Sequence, residues 1–199
     1  INPYFLARVM MSALDKWQLK YEHAELSTPA EPCWALKHHL RYLPLQGHAL
    51  DFAGGLAGNG RFLARCGLKT ESWDFSQNAT DLVNKWARLQ NVNLTADCID
   101  LTQPLPQKKF DVIVVSRYLD RDLFKTLPNL LNNGGLLIAQ TFLAPVQESA
   151  PSNPAFYVQP SEYQAWWSEQ LVCDVYGEGW LSEDDQVRHR YAWYIGRKA

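Results

Sequence analysis

Residues 48–63, HALDFAGGLAGNGRFL, pass from a short apolar run, Ala49-Leu50-Asp51-Phe52-Ala53, into a turn carrying Gly54, Gly55, Gly58 and Gly60. Helical character then resumes over Arg61-Phe62-Leu63-Ala64-Arg65. The pattern reads as a strand, a glycine turn and the start of a helix. Glycines let such a turn adopt positive φ and let a ligand approach the main chain without meeting a Cβ. The helix that opens there offers unpaired N–H groups and the positive end of its dipole to a carboxylate or phosphate. In an open α/β sheet this point, just beyond the carboxyl end of a strand, is the usual ligand crevice. The competing reading is a glycine-rich connector that binds nothing.

Spacing narrows the ligand. A dinucleotide fingerprint needs G-x-G-x-x-G/A, and Gly58-Asn59-Gly60 puts Leu63 where the third small residue belongs. No Gly-Lys-Ser/Thr of a phosphate-binding Walker loop occurs in the chain.

The stretch resembles the first motif of class I S-adenosylmethionine-dependent methyltransferases, in which an acidic residue ends the first strand and a glycine turn follows. Asp51, Ala53, Gly55 and Ala57 align with that pattern without a gap. Ala57 stands where the family commonly has glycine, and its extra methyl is expected to crowd the methionine moiety. The resemblance implies S-adenosyl-L-methionine as cofactor, with Asp51, Ala53, Gly54 and Gly55 at its site.

Downstream, Phe62 to Cys66 read as the first crossover helix, ended by Gly67. Lys69 to Phe75 then read as a second strand. Asp74 lies 23 positions after Asp51, near the spacing of about 20 at which a carboxylate reaches a ribose diol. Two acceptor oxygens match two vicinal hydroxyls. Asp74 also suits the N-cap of the helix that runs to about Gln90, a role open equally to Ser76. A third strand is expected over Leu94 to Ile99. By resemblance, Asp97 at its tip accepts from the adenine amino group and the Cys98 N–H faces the ring. Asp100 competes with Asp97, and a solvated loop carboxylate is the alternative. Phe75 and Ser116 complete the cofactor-binding set that the resemblance implies.

Phe110 to Ser116 is apolar on both faces, as a central parallel strand must be. A helix through Leu127, Leu130 and Leu131 is expected next, ended by Asn133-Gly134-Gly135 before a fifth strand, Leu136 to Phe142. The run SRYLDRDLFKTLPNLLNNGGLLIAQTF resembles methyltransferases of the tellurite-resistance branch, with Asn133 in the place of that pattern's proline. The likeness continues through Asn153-Pro154-Ala155-Phe156 and Pro160-Ser161-Glu162-Tyr163. Arg117, Tyr118 and Arg121 follow the fourth strand and are the candidates for orienting an anionic acceptor, because a guanidinium fork suits oxyanions. The alternative is that the two arginines pair with Asp120, Asp122 or Glu162.

The amino-terminal part, residues 3–43, shows partial helical periodicity through Trp17, Tyr21, Trp34, Leu36, Leu40 and Leu43, interrupted around residues 27–32. Within it, Trp17-Gln18-Leu19-Lys20-Tyr21 resembles the W-x-x-R-Y element that helps close small-molecule methyltransferases over their cofactor, Lys20 replacing the arginine. That places Tyr21 in the cofactor set, with simple packing of an aromatic pair four apart as the alternative. The carboxyl part reads as a helix at Trp166-Trp167 followed by two strands, Leu171 to Trp180 and Val187 to Ile195.

The whole is an α/β chain of 199 residues and 47% hydrophobic content, read as a single domain. Residues 1–47 form a helical cap, and residues 48–199 a Rossmann-like, seven-stranded, mostly parallel sheet with helices on both faces and a C-terminal antiparallel hairpin. A net charge of −2 gives no general attraction to nucleic acid or membrane. Cys33, Cys66, Cys98 and Cys173 form no CxxC and read as buried thiols, not as a zinc or disulfide framework. With no signal-peptide pattern and no long apolar run, a cytoplasmic location is expected; no metal is. The function expected is methyl transfer to a small acceptor, with a thiol or chalcogen oxyanion the kind that needs no general base. The alternatives are a silent S-adenosylmethionine-binding module and a nicotinamide-dependent oxidoreductase. The absence of N-P-P-Y after the fourth strand argues against base methylation of DNA.

Overall fold

The computed structural model describes residues 21–26, 31–182 and 187–199. Its strands are β1 (His48–Phe52), β2 (Lys69–Asp74), β3 (Leu94–Cys98), β4 (Phe110–Ser116), β5 (Leu131–Phe142), β6 (Leu171–Ser182) and β7 (Arg188–Lys198). They form one seven-stranded sheet in the order β3-β2-β1-β4-β5-β7-β6. The first five run parallel, and β7 lies antiparallel between β5 and β6. The helices bounded within the described residues are α1 (Trp34–His38), α2 (Gly58–Arg65), α3 (Gln77–Gln90), α4 (Arg121–Thr126) and α5 (Glu162–Trp167). This is the Rossmann-like architecture with a closing hairpin that the strand-helix alternation implied. No helix among the described residues is long and apolar enough to cross a membrane.

Strand β4 shows why the sheet is covered on both sides. Val112 and Val114 pack with Ala49, Leu63, Leu136 and Ile138, whereas Ile113 and Val115 pack with Leu50, Phe52, Trp73 and Leu137. Successive side chains leave a strand on opposite faces, so an unbroken Val/Ile run must be buried twice. The helix after β2 is capped by Ser76, whose Oγ accepts from Ala79 N at 3.3 Å. Ser76, not Asp74, therefore takes the N-cap role, which leaves Asp74 to the site.

Four expectations are corrected. Helix α2 begins at Gly58, not Phe62, because Ala57 takes the left-handed conformation (φ 52) at its N-cap and Asp51 Oδ2 accepts from Gly60 N at 2.8 Å. The helix after β4 stops at Thr126, with a 3₁₀ turn over Leu127–Leu130. Pro128 has no N–H for the Phe124 carbonyl, which accepts from Trp167 Nε1 at 2.8 Å instead. Strand β5 thus starts at Leu131, and Asn133-Gly134-Gly135 lies inside it as a bulge: β5 advances from Leu131 to Leu136 while β4 advances only from Phe110 to Val112. The amino-terminal helical reading is met, in its described part, at residues 21–22, in α1 and in a 3₁₀ turn at Leu40–Tyr42, and is broken between them; the reading over residues 3–20, including Trp17 to Lys20, and over 27–30 lies outside the described residues. Of the four cysteines only Cys33 is buried, since Cys66, Cys98 and Cys173 fall at a helix end and on edge strands.

Candidate functional site

The crevice opens where strand order reverses, at the carboxyl ends of β1 and β4. Ala53, Gly55 and Ala57 alternate in the left-handed region with φ of 55, 55 and 52°. The N–H groups of this turn are spent within the protein: Gly54 N donates to the Trp73 carbonyl at 3.0 Å and Ala57 N to the Gly54 carbonyl at 2.8 Å. Gly54 is packed so closely that an added Cβ would sit 2.3 Å from Ser72 Oγ.

Two buried carboxylates fasten this turn. Asp51 is fully buried and accepts from Gly60 N at 2.8 Å and from Asn59 Nδ2 at 3.2 Å. Burial pushes its carboxyl up to about 7, against the lowering effect of those two bonds and with a smaller push from Asp74. The Gly60 N–H expected to face a ligand is thus taken by Asp51. Asp74, at the tip of β2, accepts from Gly55 N at 2.8 Å through Oδ2 and from Ser76 N at 2.9 Å through Oδ1.

Tyr21 closes the other side of the same glycine: a Cβ on Gly55 would lie 2.6 Å from its hydroxyl oxygen. Burial first, and the Asp74 charge second, raise the Tyr21 phenol above its ordinary range. Tyr21, Gly55 and Asp74 therefore meet, three residues from separate parts of the chain.

On the β3 side, Asp97 is half-buried and pairs in register with Trp73, and Cys98 pairs with Asp74. Cys98 Sγ reaches the Phe75 carbonyl at 3.4 Å, joining those two expected contacts. Asp100 instead caps a turn, Oδ1 accepting from Thr102 N and Oγ1 at 2.9 and 2.7 Å, and these bonds hold its carboxyl below the usual range.

The residues after β4 separate. Ser116 Oγ is bound by Asn59 Nδ2 at 3.0 Å, within the crevice. Tyr118 packs on Phe52, ring centroids 6.0 Å apart, and its phenol is pushed up to about 12 by burial, then by Asp120, Asp100 and Asp74. Arg117 is exposed, with φ 55°. Arg121 does not turn to the crevice: its Nε and Nη2 donate to Glu162 at 2.7 and 3.0 Å, and its Nη1 and Nη2 to the carbonyls of Ala155 and Tyr157 at 3.3 and 2.9 Å. The pairing alternative applies to it.

Asn59 and Gln140 went unnoticed in the sequence. The buried Asn59 amide joins Asp51, Ser116 and, through Oδ1, Cys33 N at 2.9 Å. Buried Gln140 accepts from Ala35 N at 2.7 Å. Together they tie residues 33–35 to α2 and β5. Their only sequence signal is an amide where a glycine spacer or an apolar strand residue would serve. The Ala57 methyl is fully buried in a cluster with Ala64, Val83, Trp86 and Leu94, so it faces the core and does not crowd the crevice.

No protein-family model matches the chain, and no curated protein does. Many solved structures share its fold. TehB from Haemophilus influenzae is similar at 20% identity and a TM-score of 0.69, covering 94% of this chain and 67% of that one. A SAM-dependent methyltransferase from Methanosarcina mazei is similar at 16% identity and a TM-score of 0.65, covering 88% of this chain and 99% of that one. Geranyl diphosphate C-methyltransferase from Streptomyces coelicolor A3(2), in complex with geranyl diphosphate and S-adenosyl-L-homocysteine, gives 18% identity and a TM-score of 0.65 over 82% of this chain and 77% of that one. The chain thus has the fold of these methyltransferases.

Proposed function

We propose that the chain is an S-adenosylmethionine-dependent methyltransferase acting on a small-molecule acceptor. The observation that carries this reading is the Asp74 carboxylate at the tip of β2, set against the N–H of Gly55 with Tyr21 on that glycine's other side. A ribose diol calls for a two-oxygen acceptor at this point. Asp74 would hold the ribose and Asp97 and the Cys98 N–H the adenine, with the turn of residues 53–55 lying against the methionine end. The methyl carbon on a sulfonium is already activated: a nucleophile bonds to it, the carbon–sulfur bond breaks, and its electron pair stays on sulfur.

What remains for the protein is to hold the nucleophile in line and exclude water. A thiolate or reduced chalcogen oxyanion would need no base, whereas an amine or hydroxyl would first lose a proton. The strand order supports this reading over a nicotinamide enzyme, whose doubly wound sheet runs 3-2-1-4-5-6 without an inserted antiparallel strand. The burial of the Ala57 methyl removes one ground for a silent binding module.

The test is calorimetric titration of S-adenosylmethionine and S-adenosylhomocysteine into wild type and Asp74→Ala, with NADH as control, followed by transfer from labelled cofactor to a panel of small acceptors. Wild type should bind both methyl cofactors and not NADH. Asp74→Ala should lose about 1 to 3 kcal/mol of binding, the order for a buried hydrogen-bonding carboxylate. Failure of wild type to bind either at millimolar concentration overturns the reading.

A further inference from the structure

A second recess lies on the same edge of the sheet as the cofactor crevice. Ala144 and Pro145, just beyond β5, face Pro154, Tyr157 and Pro160, and from β7 Arg190, around a cavity of about 720 Å³. It sits at the carboxyl end of β5, where Phe142 pairs with Tyr191 and Leu143 N donates to the Arg190 carbonyl at 2.9 Å. From β4 to β7 is two strand spacings, about 10 Å.

Arg190 is held by its main chain and left open at its head. Its carbonyl also accepts from Gln147 Nε2 at 3.0 Å, and its N–H donates to Gln147 Oε1. The guanidinium makes one long bond, Nη1 to the Ala144 carbonyl at 3.4 Å, and has no ion-pair partner among the described residues. Arg121 and Arg197, by contrast, are paired with Glu162 and Asp174 at 2.7 and 3.1 Å. The recess around Arg190 is apolar, and Val146 and Phe156 beside it are 44% and 47% exposed. Its outer wall is the 3₁₀ turn Pro154–Phe156, whose end Arg121 fastens through the Ala155 and Tyr157 carbonyls. Arg121 is on this account a positioning residue for the wall.

We propose that this recess is the acceptor subsite, and that the acceptor is an organic anion. Arg190 binds its carboxylate or other oxyanion, the apolar body lies over Pro145 and Tyr157, and the nucleophile reaches about 10 Å toward the end of β4. The role as acceptor subsite rests on the methyltransferase reading; the anion selectivity of the recess does not. A charge-assisted bond from a guanidinium with no competing carboxylate among the described residues is the strong kind, and the apolar walls supply area for the remainder of the molecule.

Octanoate and octan-1-ol serve as probes, titrated by NMR into the full chain without cofactor. Octanoate should bind at least tenfold tighter than the alcohol. Arg190→Gln should erase that difference and Arg190→Lys keep part of it. Val146→Glu, a change at an exposed side chain, should erase it too by placing a carboxylate beside the guanidinium, so the proposal stays testable if the arginine variant folds poorly. Equal affinities in wild type, or a preference that survives Arg190→Gln, overturns the subsite. S-adenosylmethionine affinity, measured in parallel, should be unchanged in all three variants. Wild type that prefers octanoate yet binds no S-adenosylmethionine sinks the methyl-transfer reading and keeps the anion site; the reverse pattern sinks the anion site alone.

Discussion

Asp51 makes the stability of this fold depend on pH in a calculable way. Its carboxyl moves from an ordinary 3.8 to about 7 because it is fully buried, even though Gly60 N and Asn59 Nδ2 both donate to it. Between those two values the unfolded chain has released this proton and the folded chain still holds it. The unfolded state then binds fewer protons, so unfolding free energy falls as pH rises, by about 1.4 kcal/mol per unit for one group. From pH 4.5 to 7 the loss attributable to Asp51 is about 3 kcal/mol, and above that it levels off. Asp51→Asn keeps the shape and removes the titration. Urea unfolding of both proteins at half-unit steps from pH 4.5 to 8.5 isolates the group, because every other titration is common to both. The difference in stability between wild type and variant should shrink or reverse steadily up to neutrality and be constant beyond. A difference that stays flat across the whole range would refute the assignment of a neutral, buried carboxyl at this position.

Other substitutions test the surroundings of the turn. Asn59→Ala removes three hydrogen bonds, among them the one from the Cys33 N–H, and should cost about 2 to 4 kcal/mol in urea unfolding; a cost under 1 kcal/mol would mean that residues 33–35 do not depend on it. Ala57→Gly relieves about 1 kcal/mol of left-handed strain and loses a buried methyl of similar worth. Its melting temperature and cofactor affinity should both stay near wild type, whereas tighter cofactor binding would restore the idea of a crowded crevice. Gly55→Ala places a Cβ 2.6 Å from the Tyr21 hydroxyl in a left-handed residue. It should weaken S-adenosylmethionine by about tenfold or more by calorimetry, at roughly 1.4 kcal/mol per decade.

Much of this was legible because local chemistry and global fold agree. The run Phe110 to Ser116 is too apolar to be anything but a twice-covered strand, and its bounds as a strand are those of the structure. Asp51, Gly55 and Asp74 were legible by type and spacing, since few residues serve at a strand tip or in a left-handed turn. Two boundaries misled. Asn133-Gly134-Gly135 has the composition of a helix stop, yet a strand can carry the same glycines in a bulge when its partner pauses opposite them. The start of α2 was hidden because glycines read as turn, while the bond from Gly60 N to Asp51 draws them into the helix. The ties made by Asn59 and Gln140 span 26 and 105 positions to Cys33 and Ala35. No local pattern encodes such a separation; only the folded sheet brings the partners together.

The two buried acids divide one task. Asp51 binds the helix side of the turn at Gly60, and Asp74 binds its ligand side at Gly55. The Asp74 charge adds a small push to the rise that burial imposes on the Asp51 carboxyl. A turn held from one end would be enough to keep the strand and helix in place. Holding it from the second end with the residue that is proposed to take the ribose ties the shape of the loop to occupancy of the crevice. On the proposed function a ribose diol would address the carboxylate that the Gly55 N–H already occupies, whereas Asp51 holds Gly60 and stands apart from that contact. The pH dependence of stability set by Asp51 should accordingly survive in Asp74→Ala, although that variant loses the ligand, and an Asp51 titration that vanished with Asp74 would show the two acids to be one coupled unit.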